Sequence, residues 1–325
     1  PPPAKPYFLL MVDTSGSMAF QTSPQTSTSC TLNGNNFGTD RRAHARCAVQ
    51  KTILAYAGQV NFGLATFSQI QSGCSNLANG LCNFGMGGCS YSSFTGTSPP
   101  TQCGPEPDPM APNSSSRSGA NIVVPMLQDI GSPASNVSNL LSWVDGGCAD
   151  NRELFGSGNT PLNGMLRDAF RYYSNEWDPP DPQPGGPTLT SPLTSVAAGD
   201  RPCRSVNVIL LTDGDETCDT TADAVDAAGD LLAGFTKDGI NWSVRTYVIN
   251  FAGGSVANTN AIAAAGGTGS SFFATNETEL ALAMSNIIAG SIAPEDCNNV
   301  DDNCNGCIDE GYVHYCNVSQ TCCSW

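Results

Sequence analysis

One stretch limits the possible folds of this chain more than any other. Tyr7-Phe8-Leu9-Leu10-Met11-Val12 is an unbroken apolar run, and it stops abruptly in Asp13-Thr14-Ser15-Gly16-Ser17. A short run of this kind reads as a buried strand, here one that delivers a carboxylate and several hydroxyls to its own carboxyl end. In an open α/β sheet that end is where ligands bind, in the crevice above the strands. Oxygen donors alone suit a hard cation such as Mg²⁺.

Two later segments extend the pattern. Gly158-Asn159-Thr160-Pro161-Leu162 offers a threonine hydroxyl in a loop that opens a helix, and Val206-Asn207-Val208-Ile209-Leu210-Leu211-Thr212-Asp213-Gly214 is a second apolar strand ending in a carboxylate. The set D-x-S-x-S, then T-P, then T-D-G resembles the von Willebrand factor A domain and its metal-ion-dependent adhesion site. That resemblance runs from about Lys5 to Ile292 and includes Ile262-Ala263-Ala264-Ala265-Gly266-Gly267 with the following Phe272-Phe273. It implies that Ser15, Ser17 and Thr160 touch a metal through hydroxyls and that Asp13 and Asp213 bind it directly or through water. The ion would be Mg²⁺, or Mn²⁺ or Ca²⁺ in its place. An acidic group of a partner would complete its coordination.

Charge narrows the function classes. The 325 residues carry 29 acidic and 13 basic side chains, a formal net charge of −16, which argues against nucleic acid or an anionic membrane as partner. No run of 18 apolar residues is present, so no helical membrane span is expected. Fifteen cysteines spread through loops fit an oxidising, extracellular or cell-surface setting. They read as disulfides, with the odd one free, paired between chains or paired with an absent part. The opening Pro1-Pro2-Pro3-Ala4-Lys5-Pro6 reads as a linker, left after signal removal or by a cut at that point.

Along the chain, strand and helix patterns alternate as a doubly wound, mostly parallel α/β sheet requires. Helices are expected over 41–56, 133–144, 161–177, 222–235, 258–265 and 277–292. Strands are expected over 60–67, 122–127 (at the sheet edge, because of Pro125), 206–211, 242–251 and 271–274. One domain then covers 7–293, interrupted by polar or Pro/Gly-rich insertions at 19–40, 68–120 and 178–203. Four cysteines staple the second of these (Cys74, Cys82, Cys89, Cys103). Cys203 and Cys218 flank a strand about 20 Å long, too far apart to bond directly. Cys218 is therefore expected to join Cys30 or a cysteine of the 68–120 insertion.

Composition shifts at 294–325, an acidic segment holding six cysteines. Asp301, Asn303, Asn305, Asp309 and Glu310 in C-N-N-V-D-D-N-C-N-G-C-I-D-E-G are spaced like a calcium loop, although the twelfth position from Asp301 is Tyr312 and not the glutamate of an EF-hand. The run resembles a short cysteine-bearing metal-binding motif of secreted myxobacterial proteins. A disulfide knot with solvated acids is the alternative, and the end at Cys322-Cys323-Ser324-Trp325 suggests a longer parent.

Catalysis is not expected. His44 and His314 are the only histidines, neither has a plausible nucleophile, and no G-x-S-x-G elbow surrounds Ser15. The expected function is cation-dependent adhesion or binding of a protein or surface ligand that exposes a carboxylate. The resemblance suggests a PilY-type pilus-tip adhesin or a myxobacterial gliding-motility adhesin. The alternative is an assembly component of a surface filament or envelope, whose other subunits are its partners and whose metal and disulfides only stabilise the fold.

Overall fold

The computed structural model of the chain describes residues 5–67, 119–127, 134–147, 153–154, 159–176, 189–195 and 204–291. In chain order the strands are β1 (Tyr7–Val12), β2 (Thr31–Leu32), β3 (Asn35–Asn36), β4 (Asn61–Phe67), β5 (Ala120–Val124), β6 (Val206–Thr212), β7 (Phe235–Lys237), β8 (Ile240–Trp242), β9 (Val244–Phe251) and β10 (Phe272–Ala274). The helices are α1 (Arg41–Ala55), α2 (Ala134–Leu141), α3 (Leu162–Ser174), α4 (Thr221–Ala233), α5 (Val256–Ala265) and α6 (Glu277–Ser291).

Six strands form one sheet in the order β10-β9-β6-β1-β4-β5. All neighbours are parallel except β4 and β5, so the edge position expected for the 122–127 segment is where β5 lies. Strand β1 sits at the centre and its alternation explains why every residue is apolar. Phe8, Leu10 and Val12 point into a core shared with α1, α2 and α6, while Tyr7, Leu9 and Met11 point into a second core against α3, α4 and α5. A strand covered by helices on both faces has no solvated side on which a polar residue is favoured.

Most helix and strand boundaries fall within two or three residues of the sequence reading. A real difference is a small hairpin, β7–β8, where Phe235 was expected to end a helix and Trp242 to begin a strand. Its turn, Asp238-Gly239, has positive φ at both residues (52° and 76°), the conformation that a tight two-residue hairpin demands. Another difference is around the 19–40 insertion, which is led into by a 3₁₀ turn (Gly16–Ala19) and holds the β2–β3 pair. The 68–118 part of the second insertion, the tail with Asp301, Asn303, Asn305, Asp309 and Glu310, and His314 lie outside the described residues.

Cys30 bonds to Cys47 on α1, with the Cα atoms 5.5 Å apart, and is therefore not the partner of Cys218. Cys218 is itself disulfide-bonded, to a cysteine outside the described residues. The Cys30–Cys47 bridge closes a loop with a sequence separation of 17. Cys47→Ser is expected to lower unfolding free energy by about 3 kcal/mol through the denatured chain's regained freedom, read as the shift in a urea midpoint.

Close to this bridge, buried His44 on α1 ties α6 to the insertion. Its Nε2 lies 2.9 Å from the Thr26 carbonyl and its Nδ1 3.1 Å from the Glu277 backbone N–H. Nδ1 also lies 3.1 Å from Glu277 Oε2, so both the backbone and the carboxylate at the start of α6 meet this ring. His44 is thus a packed residue that anchors α6.

Candidate functional site

The pairing register brings the two acidic strand ends side by side. Val12 pairs with Leu211 across β1 and β6, and the Asp13 backbone N–H continues the ladder to the Leu211 carbonyl at 2.8 Å. The next residue on each strand is thus delivered to the same crevice. Asp13 Oδ2 accepts from the Thr212 hydroxyl at 2.7 Å and from the Asp213 backbone N–H at 3.3 Å. On the other side, the Thr14 hydroxyl accepts from the Phe67 backbone N–H at 3.2 Å, holding the β1 loop to β4.

The loop after β1 then folds its hydroxyls back toward these acids. Asp13 Oδ1 accepts from the Ser15 backbone N–H at 2.7 Å. Ser15 occupies the cap position of the 3₁₀ turn without using its side chain to cap it. That side chain instead meets Ser17, Oγ to Oγ, at 3.0 Å, and Ser17 donates to Asp213 Oδ1 at 2.7 Å. Asp13, Ser15, Thr160 and Asp213 are buried, while Ser17 is partly exposed and marks the side from which solvent reaches the group.

Thr160 arrives from a third element. It precedes α3, and its backbone is tied to the loop after β6 by two reciprocal bonds: Thr160 N–H to the Thr217 hydroxyl (2.7 Å) and Thr217 N–H to the Thr160 carbonyl (3.1 Å). Glu216 adds a second tie. Its carboxylate accepts from the backbone N–H groups of Asn163 (2.5 Å), Cys218 (2.7 Å) and Asp219 (3.1 Å). A methyl group placed on Gly214 would lie 3.4 Å from Thr160 Oγ1 and 3.8 Å from Ser17 Oγ, so both hydroxyls converge over that glycine. All five residues singled out from the sequence meet in one crevice.

Charge makes this crevice costly for the protein alone. Burial first, and the neighbouring Asp213 carboxylate second, push Asp13 up to about 7, against the pull of its bonds to Ser15 and Thr212. Two carboxylates and three hydroxyls held this close are a fitting donor set for a small hard dication. Each oxygen that already accepts one hydrogen bond keeps a second lone pair. A metal held here would polarise whatever anionic oxygen completed its shell. Among the described residues no three His, Cys, Asp or Glu side chains gather in a metal-binding group, so hydroxyls would supply most of the protein donors.

The sequence reading did not find every residue of the site. Arg41, at the start of α1, places Nη1 2.7 Å from Asp213 Oδ2. Asp215 accepts from the Ser255 backbone N–H (2.9 Å) and the Asn258 amide (3.2 Å) and so fixes the start of α5. A signal for Arg41 was present. A cation in the first turn of a helix opposes the helix dipole, which points to a partner elsewhere in the fold.

No protein-family model matches this chain, and no curated protein matches it. Solved structures do. A von Willebrand factor type A protein from Catenulispora acidiphila is 15% identical with a TM-score of 0.48, covering 91% of this chain and 44% of its own. The manganese-loaded TRAP protein of Plasmodium vivax is 13% identical with a TM-score of 0.43, covering 88% of this chain and 74% of its own. The vWF domain of the type V pili tip protein Mfa5 from Porphyromonas gingivalis is 13% identical with a TM-score of 0.40, covering 90% and 98%. The chain thus spans less than half of the Catenulispora protein's length. Among the described residues no helix is long and apolar enough to cross a membrane.

Proposed function

We propose that this chain is a von Willebrand factor A-type binding module, exposed at a cell surface, that holds a divalent cation and through it an acidic group of another protein. The observation that carries the reading is the meeting of Asp13, Ser15, Ser17, Thr160 and Asp213 at the carboxyl ends of β1 and β6. Ser15, Ser17 and Thr160 would hold the ion through their hydroxyls, and Asp13 and Asp213 would bind it directly or through water. Two carboxylates balance a dication's charge, while neutral hydroxyls are weak donors, which favours an anionic ligand at the remaining position. The module needs no nucleophile or general base for this, and we assign it no enzymatic activity. Other subunits of a surface filament are natural partners for such a module.

The test is a titration of Mn²⁺ into the purified chain, followed by acetate as the simplest carboxylate. The wild type is expected to take up one ion at this site, and acetate to tighten it. Thr160→Ala is expected to weaken Mn²⁺ by about tenfold or more, since it deletes a donor whose backbone is already anchored by Thr217. Unchanged Mn²⁺ binding by Thr160→Ala would remove this crevice as the metal site.

A further inference from the structure

Arg41 stands where the site already has a cation. Its Nη1 donates to Asp213 Oδ2 at 2.7 Å, and the Asp213 side chain is wholly buried while that of Arg41 is 16% exposed. Asp213 is thereby used on both oxygens, with Ser17 on Oδ1 and Arg41 on Oδ2. The guanidinium lies 5.9 Å from the ring centre of Phe20, an aromatic side chain left 63% exposed. Its Nε is buried with no hydrogen-bond partner. It is therefore held by one carboxylate and one ring face, and not by a full set of acceptors.

One further feature shows that the fold holds Arg41 here at some cost. Arg41 opens α1, where the N–H groups of the first turn favour an anion over a cation. Next to it the chain after β9 passes so closely that a Cβ on Gly253 would stand 2.7 Å from Arg41 Nη1 and 2.1 Å from the Asp213 carbonyl. The Asp213 carbonyl is what demands glycine at 253, and the same close approach brings the chain after β9 beside the guanidinium. An unfavourable helix position would be hard to understand if Arg41 were only a surface charge.

We propose that Arg41 is a built-in competitor of the divalent ion for Asp213, which lowers the metal affinity of the empty module. This inference rests on the proposed metal site. A dication entering the crevice meets a fixed positive charge one carboxylate away, and it must share or displace the Arg41 bond to use Asp213 Oδ2. The repulsion between a dication and a unit charge a few ångströms apart, at the effective dielectric of a protein surface, is large enough to change affinity by tenfold or more. The acidic ligand then has two roles: it adds a donor to the ion, and it supplies the negative charge that Arg41 withholds.

The sign of the effect separates this role from a supporting one. If Arg41 merely positioned Asp213, its removal would loosen the ion. As a competitor, its removal should tighten it. Mn²⁺ affinity, measured by calorimetry and by the loss of the free-ion electron paramagnetic resonance signal, is expected to rise about tenfold or more in Arg41→Gln and Arg41→Met. Arg41→Lys, which keeps the charge, should stay within about threefold of wild type. A second readout is the melting temperature in chelator and in Mn²⁺: the rise on adding Mn²⁺ should be larger in the neutral variants, and whichever of the two variants folds suffices. Mn²⁺ bound by the wild type but equally or less tightly by the neutral variants overturns the competitor role and leaves the metal site standing. No Mn²⁺ uptake by wild type or either neutral variant overturns both.

Discussion

Asp13→Asn is expected to abolish Mn²⁺ binding, by more than about a hundredfold, and at the same time to make the metal-free protein more stable at pH 8. Both effects come from one side chain. Loss of binding follows because Asp13 is, among the described residues, one of two carboxylates in the crevice, and the hydroxyls cannot balance a dication. The gain in stability follows from burial and from Asp213, which together hold Asp13 up to about 7. Ionising it above that pH works against the fold, and an amide of the same shape has no charge to bury. Most of the hydrogen bonding survives the exchange: the Asn oxygen still accepts from Ser15 N–H and the Thr212 hydroxyl has the Gly214 carbonyl at 3.0 Å as a second acceptor, while only the long 3.3 Å bond from the Asp213 N–H is lost. A gain of about 1 to 3 kcal/mol is expected in chelator at pH 8, measured by urea unfolding beside a Mn²⁺ titration. A variant that lost metal and also lost stability would mark Asp13 as scaffold instead.

The second large effect is a pH dependence set far from the crevice. Glu153 is fully buried, its Oε1 3.5 Å from Arg46 Nη1 on α1, and its Oε2 has no hydrogen-bond partner. Burial pushes it up to about 8, more than Arg46 pulls it down, and Asp145 adds to the rise. In the unfolded chain the same group titrates near its ordinary value of 4.5. Between those two values the folded state binds more protons than the unfolded state, so stability falls as pH rises from about 4.5 to about 8 and then levels off. The full swing is about 5 kcal/mol for a shift of this size. Glu153→Gln is expected to remove most of that swing, and unfolding curves at pH 5 and pH 8.5 would show it. A wild type whose stability rises over this interval would contradict the burial of an unpaired carboxylate oxygen.

How much of this was legible in the sequence depends on how local each signal is. Strands β1 and β6 were plain because both of their faces are covered, which makes every residue of β1 and most of β6 apolar and makes the following Asp13 and Asp213 conspicuous. Thr160 was found because the loop that opens α3 follows a family pattern. Arg41 was not, since its partner Asp213 is 172 residues away and nothing beside either one names the other. Thr212 was passed over for the opposite reason: it ends β6 and reads as an ordinary strand residue, yet its hydroxyl orients Asp13. The β7–β8 hairpin was missed because Phe235 and Trp242 fit the apolar patterns on either side, although Asp238-Gly239 carried the turn signal. The Cys30–Cys47 bond illustrates a limit of separation arguments, which exclude pairs but do not choose among those that remain.

At one border of the main sheet, β10 contributes only Phe272 to Ala274, paired with Ile249 to Phe251 of β9. Three residues expose too few free amide and carbonyl groups to template another chain, a common protection against uncontrolled stacking. Polymers built from this module would therefore not grow by donating a strand to that border. Copies crowded together should stay individually folded, with the crevice at the ends of β1 and β6 left free.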